Sequence, residues 1–137
     1  AYTWVSARVR AEMPIPVITS NRINTPDVAE AVIARGDADM VSMARPFLAD
    51  ANFVAKAAAG KDDEINTCMG CNQACLDAIF NGRITSCLVN PFACNETEMQ
   101  LHPATEVKTI AVVGAGPAGL AAATTAARRG HAVTLFD

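Results

Sequence analysis

Residues 109–119 read Thr-Ile-Ala-Val-Val-Gly-Ala-Gly-Pro-Ala-Gly. A five-residue apolar run with β-branched side chains predicts a buried strand. A complete G-x-G-x-x-G pattern follows it with no gap. Residues 117–129 then read as a helix, with Pro117 near its start, small residues along it, Arg128 and Arg129 at its end and Gly130 beyond. Ala132 to Phe136 predict a second strand, closed by Asp137. In this strand–turn–helix–strand order Gly114 makes the tight turn and Gly116 lets the backbone approach a pyrophosphate. Gly119 lets the helix pack close to the strand, and the pyrophosphate rests on the helix N-terminus. Asp137 stands 18 residues after Gly119, about where an acid that binds the adenosine ribose belongs. The other reading of Asp137 is a strand-end turn residue. The pattern predicts a dinucleotide site and does not by itself separate FAD from NAD.

Upstream lies Cys68-Met-Gly-Cys71-Asn-Gln-Ala-Cys75, and Cys87 follows after eleven intervening residues. Thiolates are soft ligands, and four on a compact loop suit an iron–sulfur cluster or a zinc ion. Gly70 lets the loop curl. Asn72, Gln73 and backbone amides can donate hydrogen bonds to the sulfurs and tune a potential. Structural zinc more often takes paired knuckles, whereas this is a triplet plus one. Cys94 is read as a structural thiol outside the set, because four sulfurs already complete it.

Residues 1–60 repeat a strand–helix pattern twice. Residues 3–12 are read as the tail of a helix. Val17-Ile18-Thr19 predicts a buried parallel strand. Thr25-Pro26-Asp27 starts a helix, with Thr25 as its cap, and Gly36 ends it. Asp39 to Met43 predict a second strand, and one helix carrying Phe47, Leu48, Phe53 and Val54 is expected to run on towards Gly60. Such units fit either an open α/β sheet or a (β/α)8 barrel, and both place ligands at the C-terminal ends of strands. Arg22 and Arg45 fall in those loops and can hold a phosphate; the alternative is that they cap helices or form surface pairs.

The 137 residues are 51% hydrophobic and 18% charged, with net charge −3. That balance gives no case for a nucleic-acid surface, and no apolar run is long enough to span a bilayer. Five cysteines, clustered in an α/β-patterned chain, favour metal binding over disulfides and a cytoplasmic location. The last strand stops one βαβ into a larger fold and no Met begins the chain, so an internal fragment is expected. The expected divisions are 1–60 for the strand–helix units, 61–104 for the cysteine segment and linker, and 105–137 for the dinucleotide-binding start.

Three runs, Cys68-Met-Gly-Cys-Asn-Gln-Ala-Cys-Leu-Asp77, Ser86-Cys-Leu-Val-Asn-Pro91 and Val112-Val-Gly-Ala-Gly-Pro-Ala-Gly-Leu120, together closely resemble the NADPH-dependent 2,4-dienoyl-CoA reductases. Trimethylamine dehydrogenase shares the layout. The upstream Val-Ile-Thr-Ser-Asn-Arg and Met-Ala-Arg-Pro-Phe-Leu runs are similar to the end of an Old Yellow Enzyme-type barrel. The resemblance implies an α/β chain made of the C-terminal end of a TIM (β/α)8 barrel, an iron–sulfur segment and the start of a Rossmann-like FAD-binding domain. It implies that Arg22, Ala44 and Arg45 surround the FMN phosphate. It implies a 4Fe-4S cluster on Cys68, Cys71, Cys75 and Cys87. It also places Gly114, Gly116, Ala118, Gly119 and Asp137 in the FAD site. The implied relay runs from NADPH through FAD and the cluster to FMN, which reduces an unsaturated acyl-CoA. The catalytic acid of that family lies in earlier strands, so none is assigned here. Two rival functions are a sister ene-reductase or amine dehydrogenase with the same relay, and a zinc-stapled binding module without redox chemistry.

Overall fold

A computed structural model describes residues 2–137. The chain forms two compact units, one ending at Glu96 and the other Thr97–Asp137. The segment expected to span 61–104 is therefore divided between them.

The first unit opens with α1 (Thr3–Glu12), then β1 (Ile18–Thr19), α2 (Pro26–Ala34) and β2 (Met40–Val41). β1 and β2 pair in parallel, Ile18 against Met40 and Thr19 against Val41. A two-residue ladder is short, and side chains extend it. Asp39 accepts a hydrogen bond from the Val17 amide at 2.8 Å and pairs with Arg10 of α1 at 3.0 Å. Ser6 of α1 donates to Thr19 at 2.6 Å. Val32 of α2 and Ala38 close the core beneath the strands. Gly36 ends α2 in the left-handed region, as its position predicts. Thr25 occupies the N-cap position in extended conformation, but its hydroxyl does not cap the helix amides. Asp27 in the first turn has its carboxyl held below the usual range, chiefly by the neighbouring Thr25 hydroxyl.

The single helix expected over 47–60 is two short ones, α3 (Arg45–Ala49) and α4 (Phe53–Ala58). Asp50 breaks them apart. Its backbone is extended, with φ −147° and ψ 107°. Its carboxylate accepts from the Asn52 amide at 2.9 Å, the Asn66 amide at 3.0 Å and the Lys56 ammonium at 2.6 Å. A helix continuing through Asp50 would forfeit this arrangement. The break still lets the Phe47 and Phe53 rings meet edge to face, 5.9 Å apart.

Asp50 is 4% exposed. Burial pushes its carboxyl up, but the Lys56, Asn66 and Asn52 donors outweigh burial and hold it below the usual range. A carboxyl with a lowered folded pKa contributes stability above its unfolded value near ~3.9 and loses it as pH falls through the folded value. The Asp50 junction is therefore expected to open only under acid stronger than that. At neutral pH, Asp50→Ala strands three donors and should cost about 2 kcal/mol locally. Amide exchange at Asn52 and Asn66 in the full-length protein should then accelerate about thirtyfold. Unchanged exchange at both amides would show that the junction is held by other contacts.

The cysteine region has little regular structure. It contains α5 (Leu76–Phe80) and an isolated bridge between Cys87 and Asn90. The second unit is a β–α–β element. β3 (Thr109–Val113) pairs in parallel with β4 (Ala132–Phe136), register Thr109 to Ala132 through Val113 to Phe136. α6 (Pro117–Arg128) connects them.

Candidate cofactor sites

In the first unit the loops after β1 and β2 enclose a pocket of about 370 Å³, within the range of small-molecule sites. Arg22, Ala44 and Arg45 all line it, as do Asn24, Cys68 and Met69. The chain turns into it through two consecutive left-handed residues, Asn21 at φ 79° and Arg22 at φ 54°. Such a turn presents backbone amides and suits an anion. The arginines differ: Arg22 is exposed, whereas Arg45 is half-buried.

A second, smaller pocket is lined by Cys68, Cys71, Cys75 and Cys87, with Arg45, Met69 and Asn72. All four thiols are free, and Cys94 does not line this pocket. The loop reaches this form through left-handed residues at Gly70 (φ 69°) and Asn72 (φ 64°). Cys87 comes back to the triplet because the Ser86 amide donates to the Ala74 carbonyl at 2.9 Å. Among the described residues, no three His, Cys, Asp or Glu side chains close on a point that one metal ion would occupy. The four thiols share one pocket.

Polar ties dock the cysteine segment on the strand–helix units. Asn24 donates to the Cys68 carbonyl at 3.0 Å, and Asn90 donates to the Leu48 carbonyl at 2.8 Å. Arg45 donates to the Asn72 side-chain oxygen. With Asp50 on Asn66, these pairs span separations that local spacing does not reveal. Asp50 and Asn24 carry no sequence signal, and Asn90 reads only as a turn residue before Pro91. The outcome is that Arg45, Cys68 and Met69 line both pockets.

The second unit carries the glycine loop. Gly114 has φ 100°, and its amide donates to the Phe136 carbonyl at 2.7 Å. A Cβ at Gly119 would lie 1.8 Å from the Gly114 carbonyl oxygen, so α6 approaches the loop as closely as glycine permits. A Cβ at Gly116 meets nothing within 4 Å, which leaves open space where a pyrophosphate would approach. Ala118 sits exposed in the first turn of α6. The Asp137 carboxylate accepts a hydrogen bond from the Ala115 amide at 3.2 Å, which places the acid beside the glycine loop.

Residues 3–64 match the NADH:flavin oxidoreductase / NADH oxidase family. Residues 112–137 match the NAD(P)-binding Rossmann-like domain. The metal reductase of Desulforamulus reducens is 46% identical over 137 residues, covering 100% of this chain and 20% of the relative. A 2-naphthoyl-CoA reductase in complex with 2-naphthoyl-CoA superposes with TM-score 0.93 and 38% identity, over 98% of this chain and 21% of that one. The 6-hydroxypseudooxynicotine amine oxidase of Pseudomonas geniculata N1 superposes with TM-score 0.89 and 34% identity, over 97% and 21%. The chain spans about a fifth of the length of these relatives. Among the described residues no helix is long and apolar enough to cross a membrane.

Proposed function

We propose that this flavin-oxidoreductase segment is the cofactor junction of a cytoplasmic NADPH-dependent reductase of the 2,4-dienoyl-CoA reductase type, acting on a conjugated acyl-CoA. The observation that carries the reading is the wall shared by the two pockets, formed by Arg45, Cys68 and Met69. A flavin site and a thiol-lined site with a common wall suit electron transfer between them. The superposition on a reductase solved in complex with 2-naphthoyl-CoA favours an acyl-CoA substrate.

Four free thiols lining one pocket fit a 4Fe-4S cluster, and their triplet-plus-one spacing favours it over the paired knuckles of structural zinc. Cys68, Cys71, Cys75 and Cys87 would hold it. Arg22 and Arg45, with amides near Ala44, would hold the phosphate of FMN. Gly114, Gly116, Ala118 and Gly119 would give the pyrophosphate of FAD close backbone access, with Asp137 at the ribose. When bound, these groups supply hydride transfer at the flavins and single-electron transfer at the cluster. The chain would fix their places through contacts it makes itself: Asn24 and Asn90 dock the thiol loop, and Gly119 lets the helix approach the glycine turn. In sequence, the strand–helix units of 1–60, the thiol segment of 61–104 and the dinucleotide-binding start of 105–137 would take these three tasks in turn.

The test is anaerobic iron, acid-labile sulfide and flavin analysis of the full-length protein, followed by NADPH oxidation with a 2,4-dienoyl-CoA. About four irons and four sulfides per chain, both flavins and acyl-CoA turnover are expected. Zinc without sulfide would sink the relay and leave a structural staple. A full cofactor set that oxidises an amine and ignores acyl-CoA would establish the second reading, an amine dehydrogenase, which the amine oxidase superposition favours.

Removing the exposed arginine checks the phosphate pocket. Arg22→Met should weaken FMN rebinding to flavin-free full-length protein by about tenfold to a hundredfold, the size of one charge-assisted hydrogen bond. Equal affinity in fluorescence titrations would mean that Arg22 faces solvent with the flavin bound.

A further inference from the structure

Among the described residues lining the two pockets, Arg45 is the only cation common to both. It is half-buried, and its Nη1 donates to the Asn72 side-chain oxygen. Asn72 lies between Cys71 and Cys75, lines the thiol pocket and is held at φ 64°. An amide side chain has one accepting end and one donating end. Arg45 occupies the accepting end, so the NH₂ group is the end left to donate.

We propose that Arg45 and Asn72 form a coupling bridge, through which an anion held in the flavin pocket sets the reduction potential of the centre held by the cysteines. The inference rests on the reading above, an iron–sulfur centre beside a phosphate site. Reduction adds one negative charge to such a centre. Nearby N–H donors and a cation stabilise the reduced form and raise the potential. A phosphate on Arg45 offsets that cation and draws its guanidinium towards the flavin pocket. The potential then falls. By linkage, reduction of the centre strengthens phosphate exclusion by the same factor. Arg45 and Asn72 are positioning residues in this scheme; neither is assigned a reacting atom.

The test is a potentiometric titration of the full-length protein freed of FMN, monitored by electron paramagnetic resonance, with and without inorganic phosphate. Competition with FMN rebinding, read by flavin fluorescence, establishes that phosphate occupies the pocket. Phosphate should shift the reduction equilibrium about tenfold towards the oxidised form, about 59 mV for a one-electron couple. Asn72→Leu should lower the potential and shrink the phosphate shift. Arg45→Lys, which keeps the charge but loses the planar fork, should also shrink it. An unmoved potential with phosphate bound overturns the bridge, and the wild-type comparison decides this even if a variant loses its cluster. A phosphate shift of full size in Asn72→Leu overturns it as well. Absence of acid-labile sulfide from the wild-type protein is a different failure: it removes the underlying reading.

Discussion

Cys75→Ser in the full-length protein should reduce iron and acid-labile sulfide from about four of each per chain to well under one, and bleach the broad visible absorbance. Cys75 is half-buried, lines the thiol pocket and stands at the start of α5, where its carbonyl accepts from the Ile79 amide at 3.1 Å. Serine keeps the backbone arrangement but replaces a soft donor with a hard one. Cys94→Ser is the control. Cys94 is exposed, is absent from the pocket wall, and its amide donates to Glu96 at 3.2 Å. Iron and sulfide should be unchanged in that variant. Loss of metal from the Cys94 variant, with retention in the Cys75 variant, would reassign the ligand set.

The second large effect is expected at Gly119. In Gly119→Ala the new methyl group would sit 1.8 Å from the Gly114 oxygen and 3.0 Å from its carbonyl carbon. Both are backbone atoms, so no side chain can rotate away, and α6 must shift off β3. The cost belongs at the top of the overpacking range, about 3 kcal/mol or more. FAD content of the purified full-length protein should fall more than tenfold, with faster proteolysis within residues 109–137. Gly116→Ala separates the two roles. Its methyl group meets only open space, so proteolysis should stay slow while FAD falls through contact with the ligand alone. Normal FAD content in Gly119→Ala would mean that α6 relaxes freely.

The legible parts of the molecule are those in which chemistry and sequence are neighbours. The run from Thr109 to Asp137 announces strand, turn, helix and strand because each glycine sits where its own backbone needs it. The cysteine spacing announces a shared site for the same reason, and the structure brings those four thiols to one pocket. The helix expected through residue 50 fails because apolar periodicity around Phe47 and Phe53 says nothing of an amide at Asn66. Only that amide, with Lys56 and Asn52, makes an extended Asp50 favourable. Thr25 takes the N-cap position that its residue type predicts, yet its hydroxyl makes no cap bond to the helix amides. The shared wall of the pockets is likewise invisible in sequence, since it depends on Asn24 reaching Cys68 and Arg45 reaching Asn72.

The order of those long-range ties along the chain has a consequence for biosynthesis. Leu48 waits for Asn90 across 42 positions, and Asn24 waits for Cys68 across 44. At translation rates of about 5–20 residues per second, each wait lasts roughly 2–9 seconds. Cys87 emerges before Asn90, so all four thiols have been synthesised before the amide that fastens their segment to Leu48. The four thiols are therefore complete while the ties from Asn24 and Arg45 can already hold their segment and the tie to Leu48 is still to be made.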